Sequence, residues 1–394
     1  MMRWFDRFAW AARNMKWTLT LCACCLLAIG LAFVYGASFV SEETQVRPFF
    51  QKQIVWAVIG LLIYITAAAF DYRTLCRLSW AFYLFALALL VIVLAMGVER
   101  YGARRWLAVG GFSIQPSEFA KPALVLALAA MLNRAGEDLG AAGVLCRVLG
   151  VAVLPMLLIL KEPDLGTVMI FVPIVAAMLF AAGAPRRTLL SLTAIGLIAA
   201  SVVLAIVIVP EKAGMSEDDQ ARILKLAGMS PYQKKRIMTF LDPGRDPLGA
   251  GWNKLQSEIA VGSGGIFGKG FMKGDQNTLG FLPRSVAPTD FIFSVIAEET
   301  GFAGSAAVLM LFAVLLMSGL NVAASAADKQ GRLLCTGVAA MIFGHVFINI
   351  AMTIGLAPIT GLPLPLVSYG GSSVLSTMAG LGMIQSVYLR SRRR

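Results

Sequence analysis

Asp290 stands in the run Pro288-Thr289-Asp290-Phe291-Ile292-Phe293, where a polar stretch gives way to a long apolar one. A carboxylate at such a boundary stays partly wet yet meets low dielectric, which raises its pKa and makes it a better proton acceptor than a free aspartate. The same position suits an N-terminal helix cap, for which Asp is a preferred residue. Glu298 and Glu299 follow about two turns deeper. A charge there costs roughly 2.5–3.5 kcal/mol on insertion scales and so faces protein or a cavity, an internal ion pair being the plain alternative. Glu118 and Lys121, three residues apart, share a helix face and can pair. Just before them, Arg104, Arg105 and Trp106 set guanidiniums suited to phosphate beside an aromatic ring, a pattern that interfacial anchoring also produces. Asp164, in Glu162-Pro163-Asp164-Leu165-Gly166-Thr167, is either a cap or a third acid facing the same side.

The run Gln256 to Gly270 is dense in glycine, and its backbone N–H groups can lie against a phosphate. A nucleotide phosphate loop needs four residues between its first Gly and the Gly-Lys pair, then Ser or Thr. Gly264 and Gly268 have three between them, and Gly270 follows Lys269, so a nucleotide site is excluded. Close chain packing and a pyrophosphate contact involving Ser263 and Lys269 remain as alternatives. Ser368-Tyr369-Gly370-Gly371-Ser372-Ser373, after Pro358, Pro363 and Pro365, suggests a re-entrant or broken element covered by protein, with small residues packing helices. His345 and Asn349 lie at helical spacing deep in an apolar run, where a satisfied interhelical hydrogen bond is the expectation.

These residues must be held by elements that the composition defines. The chain has 394 residues, 58% hydrophobic and 14% charged, with a mean hydropathy of +0.76, against roughly 25% charge in soluble domains. A soluble enzyme is excluded, and the fold class is an all-α polytopic membrane protein. Ten helices are expected at about 17–39, 53–70, 78–97, 117–133, 144–160, 165–183, 188–209, 289–319, 332–354 and 366–388. The net charge of +12 sits largely between these runs, which points to lipid and topology and away from nucleic acid. Arg73, Arg77, Arg134, Arg147, Arg186, Arg187, Lys329, Arg332, Arg390, Arg392, Arg393 and Arg394 gather on one side, so both termini are expected in the cytoplasm. Arg3, Arg7, Arg13 and Lys16 before the first apolar run resemble a signal peptide, but no small-residue cleavage site follows, and the run reads as a retained helix. The six cysteines and single histidine carry no disulfide or metal spacing.

The whole reads as one membrane domain with a large outer loop, residues 210–288, between the seventh and eighth helices. No internal repeat is visible, which weakens an inverted-repeat transporter. Within the loop, Ser216 to Met229 reads as an amphipathic helix with Ser216 as N-cap, followed by the basic run Lys234, Lys235 and Arg236 and a turned segment at Asp242 to Gly249.

Together these segments resemble the SEDS family, the shape, elongation, division and sporulation membrane proteins of bacteria. The resemblance is carried by Gln115-Pro116-Ser117-Glu118-Phe119-Ala120-Lys121, Pro163-Asp164-Leu165-Gly166-Thr167, Gln256 to Gly270, Thr289-Asp290-Phe291-Ile292-Phe293 with Glu298-Glu299, and Gly361-Leu362-Pro363-Leu364-Pro365 with Ser368 to Ser373. Gly268-Lys269-Gly270, Ala297-Glu298-Glu299 and Met352-Thr353-Ile354-Gly355 are similar to the elongation branch more than to the division branch. It implies a ten-helix peptidoglycan glycosyltransferase that polymerises lipid II at the outer face of the cytoplasmic membrane. Its implied partners are a class B penicillin-binding transpeptidase and other elongation-complex proteins. Asp290 takes the place of the catalytic acid, and Glu118 and Lys121 belong to the same cavity. Lys121, Arg105, Arg236 and Lys269 are the candidates to hold pyrophosphate, with Asp164 and Ser263 beside them and a divalent cation, Mg or Mn, as a family-level companion with no ligands assigned. Two departures stand out: Arg284 replaces the usual acid after Leu282-Pro283 in a longer stretch before Thr289, and Glu162 stands where the family tends to have Gln. A lipid II flippase and a scaffold for the transpeptidase are the rival readings.

Overall fold

The computed structural model describes residues 13–39, 48–100, 103–109, 112–135, 142–247 and 249–392. Arg3, Arg7, Leu248, Arg393 and Arg394 lie outside the described residues. Helices α1 (Trp17–Phe39) and α2 (Pro48–Ala69) are followed by the short α3 (Tyr72–Arg77) and by α4 (Ser79–Met96). A small antiparallel sheet comes next: β1 (Val98–Arg100), β2 (Ala103–Val109) and β3 (Phe112–Ile114), with Val98 opposite Trp106 and Leu107 opposite Ile114. Then come α5 (Pro116–Arg134), α6 (Ala142–Lys161), α7 (Leu165–Ala182) and α8 (Arg186–Lys212). The stretch expected as a large loop is itself largely helical, with α9 (Glu217–Leu226), α10 (Pro231–Leu241), α11 (Ala250–Ser263) and the one-turn α12 (Asp275–Thr278). Helices α13 (Ile292–Ala324), α14 (Lys329–Thr353) and α15 (Gly371–Ser391) follow.

Ten of the described helices have 18 or more residues, and they fall where the apolar runs place them. Eight are long and apolar enough to cross a membrane by length and composition. The other two, α5 and α15, carry polar groups inward: Glu118 and Lys121 on α5, and Ser372, Ser376 and Gln385 on α15, are all buried. In hydrocarbon such groups are tolerable only against protein, and these helices sit inside the bundle. Helix α15 packs along α2, and α14 packs against α5, α7, α13 and α15. In α14, 72% of the apolar window is buried, whereas in α8 the share is 6%, so α8 stands at the rim. Its Leu190, Ile195, Leu197 and Ile198 are exposed, as lipid-facing side chains are.

Local sequence sets the ends of these helices. Asp164 caps α7 by accepting from the Thr167 N–H, and Gly183, in the left-handed region, closes the same helix. Asp328 caps α14 through the Gly331 N–H and also binds Arg73 at 2.8 Å. Ser230 and Gln233 form a capping box around Pro231 at the start of α10.

Helix α13 departs from the single continuous span expected at 289–319. At 33 residues it is about 50 Å long, well beyond about 30 Å of hydrocarbon, and it is broken at Gly301, where φ is 67° and ψ −163°. The glycine-rich segment after α11 repairs the break. Lys269 and Gly270 donate their N–H groups to the carbonyls of Glu298 and Glu299 at 3.0 and 2.9 Å. Phe302 and Ala303 donate theirs to Gly265 and Ile266 at 2.8 and 3.0 Å. Gly268 must be glycine, since its φ is +76° and a Cβ would strike the Glu299 carbonyl. Of the two readings for this run, the structure adopts close chain packing.

Candidate active site

A cavity of about 790 Å³ opens among α2, the sheet, α10, the segment before α13 and the start of α15. Its wall includes Arg105, Glu118, Tyr232, Arg236 and Asp290. The strand places Arg105: successive side chains of β2 alternate sides, so Arg104 turns outward to Glu99 at 3.5 Å while Arg105 turns inward toward Asp164 at 3.8 Å. The α10 spacing places the other cation. Tyr232 and Arg236, one helical turn apart, touch through the phenol and guanidinium. The Arg236 guanidinium lies 4.5 Å from the Tyr232 ring centre and that of Arg105 lies 5.8 Å from it. One aromatic ring thus carries two guanidiniums, each a planar donor fork suited to phosphate oxygens.

Asp290 lies two residues before α13. The N-cap of that helix is Phe291 with no side-chain cap bond, so the cap role proposed for Asp290 is not the one it plays. Its carboxylate faces Gly361, with Arg236 beside the same glycine. Burial raises the Asp290 pKa above its ordinary value, against the opposing pull of Arg236, Arg105 and the Thr289 hydroxyl. The backbone is pinned from two sides. The Asp290 N–H donates to Val286 O at 3.0 Å, and the Asn349 amide donates to Asp290 O at 3.0 Å.

The remaining expected residues divide. Glu118 reaches the cavity wall, but Lys121 is fully buried behind it, its ammonium 2.6 Å from Glu118 Oε1 and 2.5 Å from His345 Nε2. A lysine ammonium has no acceptor, so Lys121 Nζ donates and His345 Nε2 accepts the hydrogen bond, and the lysine charge is engaged inside the bundle, away from a ligand. Asp164 takes the cap role on α7, accepts from Gln115 Nε2 at 3.0 Å and faces Arg105, but it lies behind the cavity wall and does not line the cavity. Two expectations are corrected. Lys269 binds Glu298 and Asp275 at 2.8 and 2.9 Å, and Ser263 donates to Ala260 O at the end of α11. Neither lines the cavity, because the glycine-rich segment is spent on splicing α13. Glu298 is therefore the internal ion pair, and Glu299 accepts from the Met272 N–H at 2.9 Å.

Several wall residues went unread in the sequence: Trp56 and Lys52 on α2 and Tyr232 on α10, while Ser372 and Ser373 on α15 were read as helix packing and not as wall. The capping box at Ser230 to Gln233 is the signal that reveals α10 and hence Tyr232. No group of three or more His, Cys, Asp or Glu gathers among the described residues.

A family model described as "Cell cycle protein", of FtsW, RodA and SpoVE, matches residues 16–393. The peptidoglycan glycosyltransferase RodA of Treponema pallidum is 33% identical, over 96% of this chain and 98% of its own length. The peptidoglycan glycosyltransferase MrdB of Escherichia coli K12 is 38% identical over 92% of each chain. The rod shape determining protein RodA of Thermus thermophilus has a similar structure, with a TM-score of 0.66 at 28% identity, covering 96% of this chain and 98% of that one. A chain described under structural coordination of polymerization and crosslinking by a peptidoglycan synthase complex gives 0.75 at 29%, covering 96% and 99%. Agreement of this extent, from the first helix to the last, makes the chain a member of the FtsW, RodA and SpoVE family of polytopic membrane proteins.

Proposed function

We propose that this chain is a peptidoglycan glycosyltransferase of cell elongation, polymerising lipid II at the outer face of the cytoplasmic membrane, with both termini in the cytoplasm. The observation that carries the reading is the Asp290 carboxylate on a cavity wall shared with the Arg105 and Arg236 guanidiniums. The names of the relatives and their coverage support it.

The 4-hydroxyl of one GlcNAc attacks C1 of the MurNAc on a lipid-linked strand. Asp290 takes the hydroxyl proton, the new C1–O bond forms, and the old bond to pyrophosphate breaks. The α-linked donor becomes a β-linked glycan, an inversion suited to a single general base. Undecaprenyl pyrophosphate leaves with its electrons on phosphate oxygens of low basicity, so no strong general acid is needed. Arg105 and Arg236 hold that charge, prepositioned by Tyr232. The partner is a class B penicillin-binding transpeptidase of the elongation complex, a reading supported by the synthase complex that resembles this chain.

The test is gel analysis of products from purified protein and labelled lipid II, with and without the transpeptidase, for wild type and Asp290→Asn. Long glycan from wild type and a loss of at least about a hundredfold in the variant is expected. Full activity in Asp290→Asn removes it as the base, and no glycan from wild type even with the partner turns the reading toward transport.

A further inference from the structure

Helix α15 begins at Gly371 on the wall of the same cavity, and no side chain caps it. The N–H groups of Gly371, Ser372 and Ser373 are the first three of the helix and have no carbonyl partner within it. They carry the positive end of a helix of 21 residues. Gly371 is pressed so closely on Trp56 that a Cβ would enter the indole ring, which fixes the helix end against α2. Ser372 Oγ is occupied, accepting from the Gln115 N–H at 2.9 Å.

Ser373 is different. The residue is 4% exposed and its hydroxyl has no hydrogen-bond partner, yet it lines the cavity. A buried hydroxyl left unpaired costs free energy that a ligand oxygen recovers. Glu118 lines the same cavity, with Ser376, one turn on from Ser373, donating to its Oε2 at 3.3 Å, and its charge is matched by Lys121 at 2.6 Å. An anion at the helix end is therefore not opposed by an uncompensated carboxylate on that wall.

We propose that the N-terminus of α15, through the N–H groups of Gly371, Ser372 and Ser373 and the Ser373 hydroxyl, receives the pyrophosphate of a polyprenyl-linked substrate. The inference rests on the polymerase reading for the identity of the lipid. That reaction handles two lipid pyrophosphates at once, and the cavity has two separate anion-holding features, the arginine pair about Tyr232 and this helix end.

The test measures binding to full-length protein in zwitterionic nanodiscs, using undecaprenyl pyrophosphate, undecaprenyl phosphate and inorganic pyrophosphate as probes. Ser373→Ala is expected to weaken undecaprenyl pyrophosphate binding about fivefold, and Ser373→Asp more than about tenfold. Ser373 is 4% exposed, so the buried carboxylate of Ser373→Asp is expected to lower Tm as well as repel the ligand, and binding by that variant is read below its melting temperature, with Ser373→Ala and Ser373→Thr as the pair that keeps the fold. Ser373→Thr, which retains the hydroxyl, is expected to bind within about threefold of wild type. Competition by inorganic pyrophosphate assigns the affinity to the phosphates alone; its failure, with lipid binding still lost in Ser373→Asp, assigns it to the membrane-held headgroup. Either result supports the site. Equal binding by wild type, Ser373→Ala and Ser373→Asp overturns it, as does Ser373→Thr binding as weakly as Ser373→Ala. Undecaprenyl phosphate binding as tightly as the pyrophosphate also overturns it. A wild type that shows the Ser373-dependent binding and makes no glycan overturns the polymerase reading and leaves the site standing.

Discussion

Asn349 donates one side-chain amide to two backbone carbonyls, that of Asp290 at 3.0 Å and that of Leu362 at 2.7 Å. The segment bearing the proposed base and the Gly361-Leu362-Pro363 segment opposite it are thereby tied to one side chain of α14. Asn349→Leu leaves both carbonyls unpaired, at about 1–3 kcal/mol each, and frees the Asp290 backbone to shift. Turnover is expected to fall about ten- to a hundredfold while KM for lipid II stays within about threefold. Steady-state polymerisation kinetics check the split, and an unchanged kcat removes Asn349 from any positioning role.

The acid limb of the activity profile follows from Asp290. Its pKa is raised by burial and held back by Arg236 and Arg105, so activity is expected to be lost on acidification at a pH above the ordinary range for aspartate. Removing one of the opposing positive charges raises the pKa further. The limb in Arg236→Gln is therefore expected to move to higher pH, as rates measured across the pH range would show; a move to lower pH contradicts the assignment.

Glu162, fully buried in the turn between α6 and α7, has no hydrogen-bond partner for either oxygen. Burial first, and Asp164 second, push its pKa up to about 9, with Arg105 pulling the other way. The folded chain keeps a proton that the unfolded chain releases above about pH 4.3. Stability from this group is complete below that pH and is lost as the pH rises toward about 9. Glu162→Gln supplies a neutral isostere without the linkage. Its Tm is expected to exceed that of wild type, with a gap that widens from about pH 5 to about pH 8 in thermal melts. A constant gap means that the carboxyl is not proton-linked to folding.

Lys269 and Arg236 were both candidates for pyrophosphate, and their surroundings predict opposite phenotypes. Lys269 neutralises the fully buried Glu298, so Lys269→Met is expected to lower Tm and leave KM nearly unchanged. Arg236 stands at the cavity wall, so Arg236→Met is expected to raise KM about tenfold or more and leave Tm nearly unchanged. Melting curves and KM values on the two variants decide, and a KM effect confined to Lys269 reverses the placement.

Much of the frame was legible in the sequence because the membrane demands long apolar runs, and each of the ten runs became a helix. The pairing of Glu118 with Lys121 was readable from a spacing of three. Its third member was not. His345 is 224 residues away along the chain, and only the packing of α14 against α5 brings it to the lysine. The fate of the glycine-rich run was hidden for a related reason, since its partners are backbone groups of α13 and backbone leaves no side-chain signature. Helix α10 was readable in Ser230-Pro231-Tyr232-Gln233 but was masked by the charge of Lys234, Lys235 and Arg236.

The splice in α13 also makes the helix two levers on one joint. The lever beyond Gly301 runs toward Ala324, and the lever before it starts two residues after Asp290. Four backbone hydrogen bonds from residues 265–270 lash the joint together. The geometry of the segment that begins beside Asp290 is thus set by backbone groups from outside α13 as well as by the helix itself.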